Sequence, residues 1–276
     1  VKYDGNEHTV TGYKSMTADN TLYNVATSVQ ETPTDAWTAK GTNVGEYPVG
    51  IESKDFKNTN ANFTNVEFVV VDGALKIDPV TAKVTVTVTG NTASEKYDGT
   101  EKTASGYGVS ISNEKYTEAD FEFKGNAEVK GTDANTYPMG LTAANFTNKS
   151  TNFTNVEFVV TDGSLTINKR NVTLTSASDS KVYDGTPLTN DTVTIGGDGF
   201  VAGEGAEYNV TGTQTNVGSS DNTFTYTLKK GTKADNYDIK TENGTLTVTP
   251  VTDKVTVTIT GNTASEKYDG TEKTAS

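Results

Sequence analysis

KVTVTVTGNT, Lys83 to Thr92, places valine at every second position with threonine between. Strict period-two alternation puts the valines on one face and the threonines on the other, which predicts a strand with a buried side and a wet side. Two related stretches follow, RNVTLTSAS from Arg170 and KVTVTITGNT from Lys254. Each comes after a short linker, DPVT from Asp78, NK from Asn168 and TPVT from Thr249. Pro79 and Pro250 fix φ and remove a donor, so those joints are expected to be stiff. The alternating strand therefore opens a repeat.

Other landmarks recur in step with it. Tyr-Asp-Gly begins at Tyr3, Tyr97, Tyr183 and Tyr268, at spacings of 94, 86 and 85 residues. Between these come GTNVGEYPVG from Gly41, GTDANTYPMG from Gly131 and TQTNVGSSDNTFTYTL from Thr213; then Asn62-Phe63, Asn152-Phe153 and Asn236-Tyr237; then the closing strands GALKI from Gly73, GSLTI from Gly163 and GTLTV from Gly244. In this phase residues 80–168 and 169–250 are complete repeats, residues 1–79 are a repeat lacking its first strand, and residues 251–276 are the first strand and turn of a further one. Residues 79–105 and 250–276 differ only at Ala82/Asp253 and Val88/Ile259, which implies two alternating repeat types.

Asp-Gly pairs at 4–5, 72–73, 98–99, 162–163, 184–185 and 269–270 are tight-turn signals. NVEFVV at 65–70 and 155–160 and FTYTL at 224–228 add strands. About six or seven strands per repeat predict an all-β chain of small antiparallel Ig-like β-sandwiches in tandem, forming an extended rod. KYTEADFEF from Lys115 and LTAANF from Leu141 can each carry a helical turn, so β-grasp-like repeats with a short helix are the alternative.

Composition narrows the function. The chain has 276 residues, of which 51 are threonine, no cysteine and a formal net charge of −13. Disulfides and thiolate chemistry are excluded, and the acidic balance argues against nucleic acid. No apolar run approaches the ~18–20 residues that span a bilayer, so no membrane insertion is expected. Neither a leader nor an anchor pattern is evident, so an exported parent is expected to carry them elsewhere.

These landmarks resemble the YDG or MBG repeats of bacterial cell-wall-anchored and secreted adhesins, most closely in SKVYDGTPLTNDTVTIGGDGF from Ser180 and KADNYDIKTENGTLTVT from Lys233. The resemblance implies an extracellular, cell-surface stalk or spacer, with binding of host glycans or a surface protein as the alternative. Surface stalks of this kind also suggest a Lys–Asn isopeptide link between first and last strands. Lys83 and Asn168 occupy such places here, whereas Arg170 and Thr249 take them in the next repeat.

Chemistry is sparse. His8, the one histidine, lies in a turn, which excludes a catalytic triad or a multi-His metal site within one chain, and no enzyme or cofactor is expected. Asp78, Asp179 and Asp184 near the joints raise a structural Ca²⁺. Trp37, which has no counterpart in the other repeats, is the candidate ligand contact. The C-terminal strand Lys254, Val255, Val257, Ile259 duplicates what the first repeat lacks. Either it is donated to another copy, giving head-to-tail self-assembly, or, more simply, the ends fall within a continuous array.

Overall fold

In the computed structural model, which describes residues 1–32 and 37–274, strand Val84–Gly90 is the centre of a three-stranded sheet. Tyr107–Ile111 pairs with it antiparallel and Val156–Thr161 parallel. Val84, Val86 and Val88 are fully buried against Tyr116, Phe121, Phe146 and Phe153. The alternation is thus the inner and outer face of a central strand.

Two close glycines then turn the pair. A Cβ on Gly90 would lie 2.3 Å from the Gly163 nitrogen, and one on Gly163 would lie 2.4 Å from the Asn91 carbonyl oxygen. Past this crossing the same two segments continue side by side in a second sheet, Thr92–Lys96 parallel to Ser164–Asn168, with Asn135–Pro138 antiparallel on the far side. The opening strand is central in the first sheet and the closing strand is central in the second.

The all-β class holds, and most pairings are antiparallel, but the first and last strands of a repeat run parallel. A long connection from Lys96 to Val156 makes this possible, because a parallel return needs a crossover of a dozen or more residues. The helical signals resolve as single 3₁₀ turns at Glu118–Asp120 and Ala143–Asn145.

The chain divides into units Val1–Asn168 and Lys169–Ser276. The second unit has the same plan. Arg170–Ser176 lies between Val193–Gly197 and the parallel Tyr237–Glu242, and Gly244–Thr249 lies between the parallel Asp179–Val182 and Gly218–Asn222. At its crossing Ser176 stands where the middle repeat has Gly90. Its buried hydroxyl donates to the Asn222 carbonyl at 2.6 Å and accepts from the Gly244 amide at 2.9 Å. No strand forms in residues 251–274.

The first unit also holds the first repeat, with His8–Thr11 on Thr38–Gly41, Gly45–Pro48 on Ala74–Ile77 and Val29–Glu31 on Phe56–Asn58. Lys2 bridges Asp78 in parallel, and the Tyr3 amide donates to the Asp78 carbonyl at 2.9 Å. Val1–Tyr3 therefore takes the place that Glu95–Tyr97 has in the middle repeat, where the Tyr97 amide donates to the Asn168 carbonyl at 2.9 Å. Among the described residues no strand pairs with residues 65–71.

The joint between first and middle repeats is packed. Asn152 accepts from the Val44 amide at 2.8 Å and donates to the Asn43 side chain at 3.0 Å, while its carbonyl accepts from the Val80 amide at 2.9 Å. Beside it the Tyr3 ring meets the Phe153 ring edge-on at 5.5 Å.

The crossing yields a mutational expectation. Neither Gly163 nor Gly244 has a positive φ, so a Cβ there is opposed by contact with backbone atoms alone. Gly163→Ala and Gly244→Ala should each destabilise their repeat by about 1–3 kcal/mol, the usual range for overpacking. Gly108→Ala, with nothing within 4 Å of its Cβ, should be close to neutral. Urea denaturation followed by circular dichroism measures all three.

Candidate functional site

Each Tyr-Asp-Gly turn is a closed hydrogen-bonding unit. In the middle repeat the Asp98 carboxylate accepts from the Thr100 amide at 2.9 Å and hydroxyl at 2.6 Å through one oxygen, and from Lys102 at 2.6 Å through the other. Asp184 accepts from the Thr186 amide, the Thr186 hydroxyl and Lys181 through one oxygen, and Asp269 divides Thr271 and Lys273 between its two oxygens as Asp98 does. Asp4 accepts from the Asn6 amide at 2.9 Å, and His8 Nε2 lies 3.0 Å from the same carboxylate oxygen, so the lone histidine belongs to its own turn. Gly99 and Gly185 follow at φ 80° and 82°, where a side chain is strained. Tyr97 is buried, as a core tyrosine should be, whereas Tyr183 and Tyr268 are exposed.

The cation sets the acidity of these carboxylates. The Lys102 ammonium, followed by the Thr100 donors, holds Asp98 far below the usual carboxylate range, Lys181 does so for Asp184, and Lys273 brings Asp269 down to about 2. Their contribution to stability is present above the ordinary carboxylate pKa and is lost as pH falls through the depressed one.

The residues predicted as sites fare differently. Trp37 is 7% exposed, stacks on Phe56 at 5.2 Å and donates from Nε1 to Asp55 at 2.9 Å. It is a core residue of the first repeat and offers no face to a ligand. Lys83 and Asn168 are not brought together: Lys83 pairs with Glu157, while the Asn168 amide donates to Ser94 at 2.9 Å and to the Glu95 carbonyl at 3.1 Å. Parallel pairing is the reason, since it sets start beside start and end beside end. Asp78 lies by Lys76, Asp179 accepts from Asn190 and the Ser180 amide, and Asp184 holds Lys181. Among the described residues no three His, Cys, Asp or Glu side chains converge as metal ligands.

The first and middle repeats differ at one duplicated segment. Asn62–Val70 repeats Asn152–Val160 letter for letter. The second copy forms the strand Val156–Thr161 beside Val84–Gly90, whereas the first forms none. Beside residues 65–69 lies a cleft of about 560 Å³ lined by Met16, Tyr23, Val25, Phe63, Val66 and Phe68. A smaller one of about 210 Å³ follows along Tyr13, Phe56, Phe68 and Val70. Val69 and Val71 are 81% and 92% exposed, against 45% for Val159.

The C-terminal candidates are equally unpartnered by strand. Val255, Val257 and Ile259 are 80%, 78% and 90% exposed, although Val84, Val86 and Val88, in the same sequence setting, are 0%.

Residues 83–169 match the family model described as the MBG domain, so the middle repeat is an MBG-type module. No curated protein and no solved structure matches the chain.

Two expectations follow from this geometry. Trp37→Ala should destabilise the first repeat by about 3–5 kcal/mol, the cost of truncating a buried aromatic, as measured by urea denaturation with circular dichroism. Replacing Asp98 and Asp184 by Asn keeps an oxygen acceptor in each turn but removes its charge. Thermal melts from pH 5 to pH 2 should show a shallower acid loss than in the unsubstituted protein.

Proposed function

We propose that this chain is a segment of a bacterial surface adhesin and acts as a non-enzymatic structural stalk, outside the cell, built of tandem β repeats. MBG domains occur in surface proteins, and among the described residues no helix is long and apolar enough to cross a membrane. The observation that carries the reading is the joint between first and middle repeats. Asn152 clamps Asn43 and Val44 across it, Tyr3 packs on Phe153, and Pro79 stiffens the link. A joint fixed by side chains from both modules suits transmission of length and force rather than free swivelling. The turn carboxylates support a structural role as well, since Asp98 and Asp184 each hold a lysine and a threonine of their own repeat.

Small-angle scattering of dilute protein tests this. Three modules of about 30–40 Å end to end give a radius of gyration near 30 Å, whereas a compact chain of this length would have about 19 Å. A value at the compact limit overturns the stalk.

A further inference from the structure

We propose that the parallel pairing of first and last strands makes the middle repeat a force-bearing clamp, in which tension along the chain loads the whole ladder at once. This rests on the reading of the chain as a stalk and names the element that resists pulling.

Tension along the chain enters the middle repeat at Val84 and leaves it at Asn168. If first and last strands were antiparallel, those two residues would lie at the same end of the ladder, and pulling would peel its rungs apart one after another. In the parallel pairing they lie at opposite ends. The force then runs along the strands, and the evenly spaced bonds of a parallel ladder share it. Six residue pairs, Val156–Thr161 on Val84–Thr89, and five more, Ser164–Asn168 on Thr92–Lys96, are loaded together.

Both ends and the middle of this ladder are secured. At the entry end the Asn155 carbonyl accepts from the Val84 amide at 2.9 Å, its side chain donates to the Thr81 carbonyl at 3.2 Å, and Lys83 pairs with Glu157. At the exit end the Asn168 carbonyl accepts from the Tyr97 amide at 2.9 Å, and its side chain holds Ser94 and the Glu95 carbonyl. Asn168, which does not meet Lys83, is thus a non-covalent stitch at the point where tension leaves. At the crossing the Ser164 amide donates to the Asn91 carbonyl at 3.2 Å, so backbone bonding continues from one sheet to the next.

Slippage is opposed too. A slide of one residue would set Asp162 or Ser164 against Gly90, at a contact with no room for a Cβ on either side. It would also turn Val156, Phe158 and Val160 away from the core they pack on, because a one-residue shift reverses the two faces of a strand. The third repeat has the same arrangement, with Arg170–Thr175 parallel to Tyr237–Glu242 in six pairs and Asp179–Val182 parallel to Leu246–Thr249 in four.

Single-molecule force spectroscopy on the full chain tests this, because a chain without cysteine lets one introduced pair choose the pulling points. Ala82→Cys with Lys169→Cys pulls at opposite ends of the ladder, and Ala82→Cys with Thr154→Cys pulls at the same end. All three sites are exposed, so both variants should keep the urea midpoint of the unsubstituted chain. At equal loading rates the opposite-end pair should rupture at a force higher by a factor of about two or more, since forced unfolding is governed by the unfolding barrier and here that barrier is crossed with all rungs loaded. Asn168→Ala should lower the opposite-end force and leave the same-end force unchanged, because peeling begins at the entry end; a residue that only stabilised the fold would lower both. Equal forces in the two directions, or a stronger same-end rupture, overturn the clamp, and an equal loss in both directions on Asn168→Ala overturns the stitch. An extended chain in scattering with equal forces would sink the clamp and leave the stalk standing, whereas a compact chain with unequal forces would sink the stalk alone.

Discussion

Gly90 and Gly163 touch where the opening and closing strands of the middle repeat cross, and there is no space between them for even one methyl group. That approach lets two parallel segments leave one sheet together and enter the next together. It exchanges which of them is central, so that Val84–Gly90 is held on both edges in one sheet and Ser164–Asn168 on both edges in the other. In the third repeat the contact survives with a different chemistry. Gly244 still lacks room for a Cβ, and Ser176 replaces bare backbone with a buried hydroxyl that ties the crossing to Asn222. A fold tied at this point is completed by strands far apart in sequence, so it cannot be finished piecemeal along the chain.

What was legible in the sequence is what local pattern encodes. The Val/Thr alternation gave the buried face of the central strand, Tyr-Asp-Gly gave the turns, and Lys115–Phe123 gave its helical turn. The strand pairing was not legible, because alternation states which face is buried but not the direction of the neighbour. From an antiparallel expectation Lys83 and Asn168 stand together; in the parallel pairing they lie at opposite ends of the ladder, and the isopeptide geometry vanishes. Gly163 was read as part of a tight Asp-Gly turn, yet its φ is not positive and its constraint is contact with Asn91. Trp37 misled for a related reason. A solitary aromatic in a polar stretch reads as exposed, and its burial comes from Phe56 and Asp55, partners some twenty residues away that no window around it contains.

The duplicated segment separates local from long-range causes. NFTNVEFVV occurs twice with the same residues, so β propensity and its own side chains are the same in both copies, yet one is a strand and the other is not. The difference is the neighbour. When Val84, Val86 and Val88 enter the middle repeat, their burial contributes about 1.5–3 kcal/mol each. Three such residues supply an amount comparable with the whole net stability of a small domain, about 5–15 kcal/mol. An opening strand of this sequence is therefore the element on which the ordering of its parallel partner depends. Among the described residues the first repeat keeps its second sheet and its Trp37 core, while residues 65–71 form no strand.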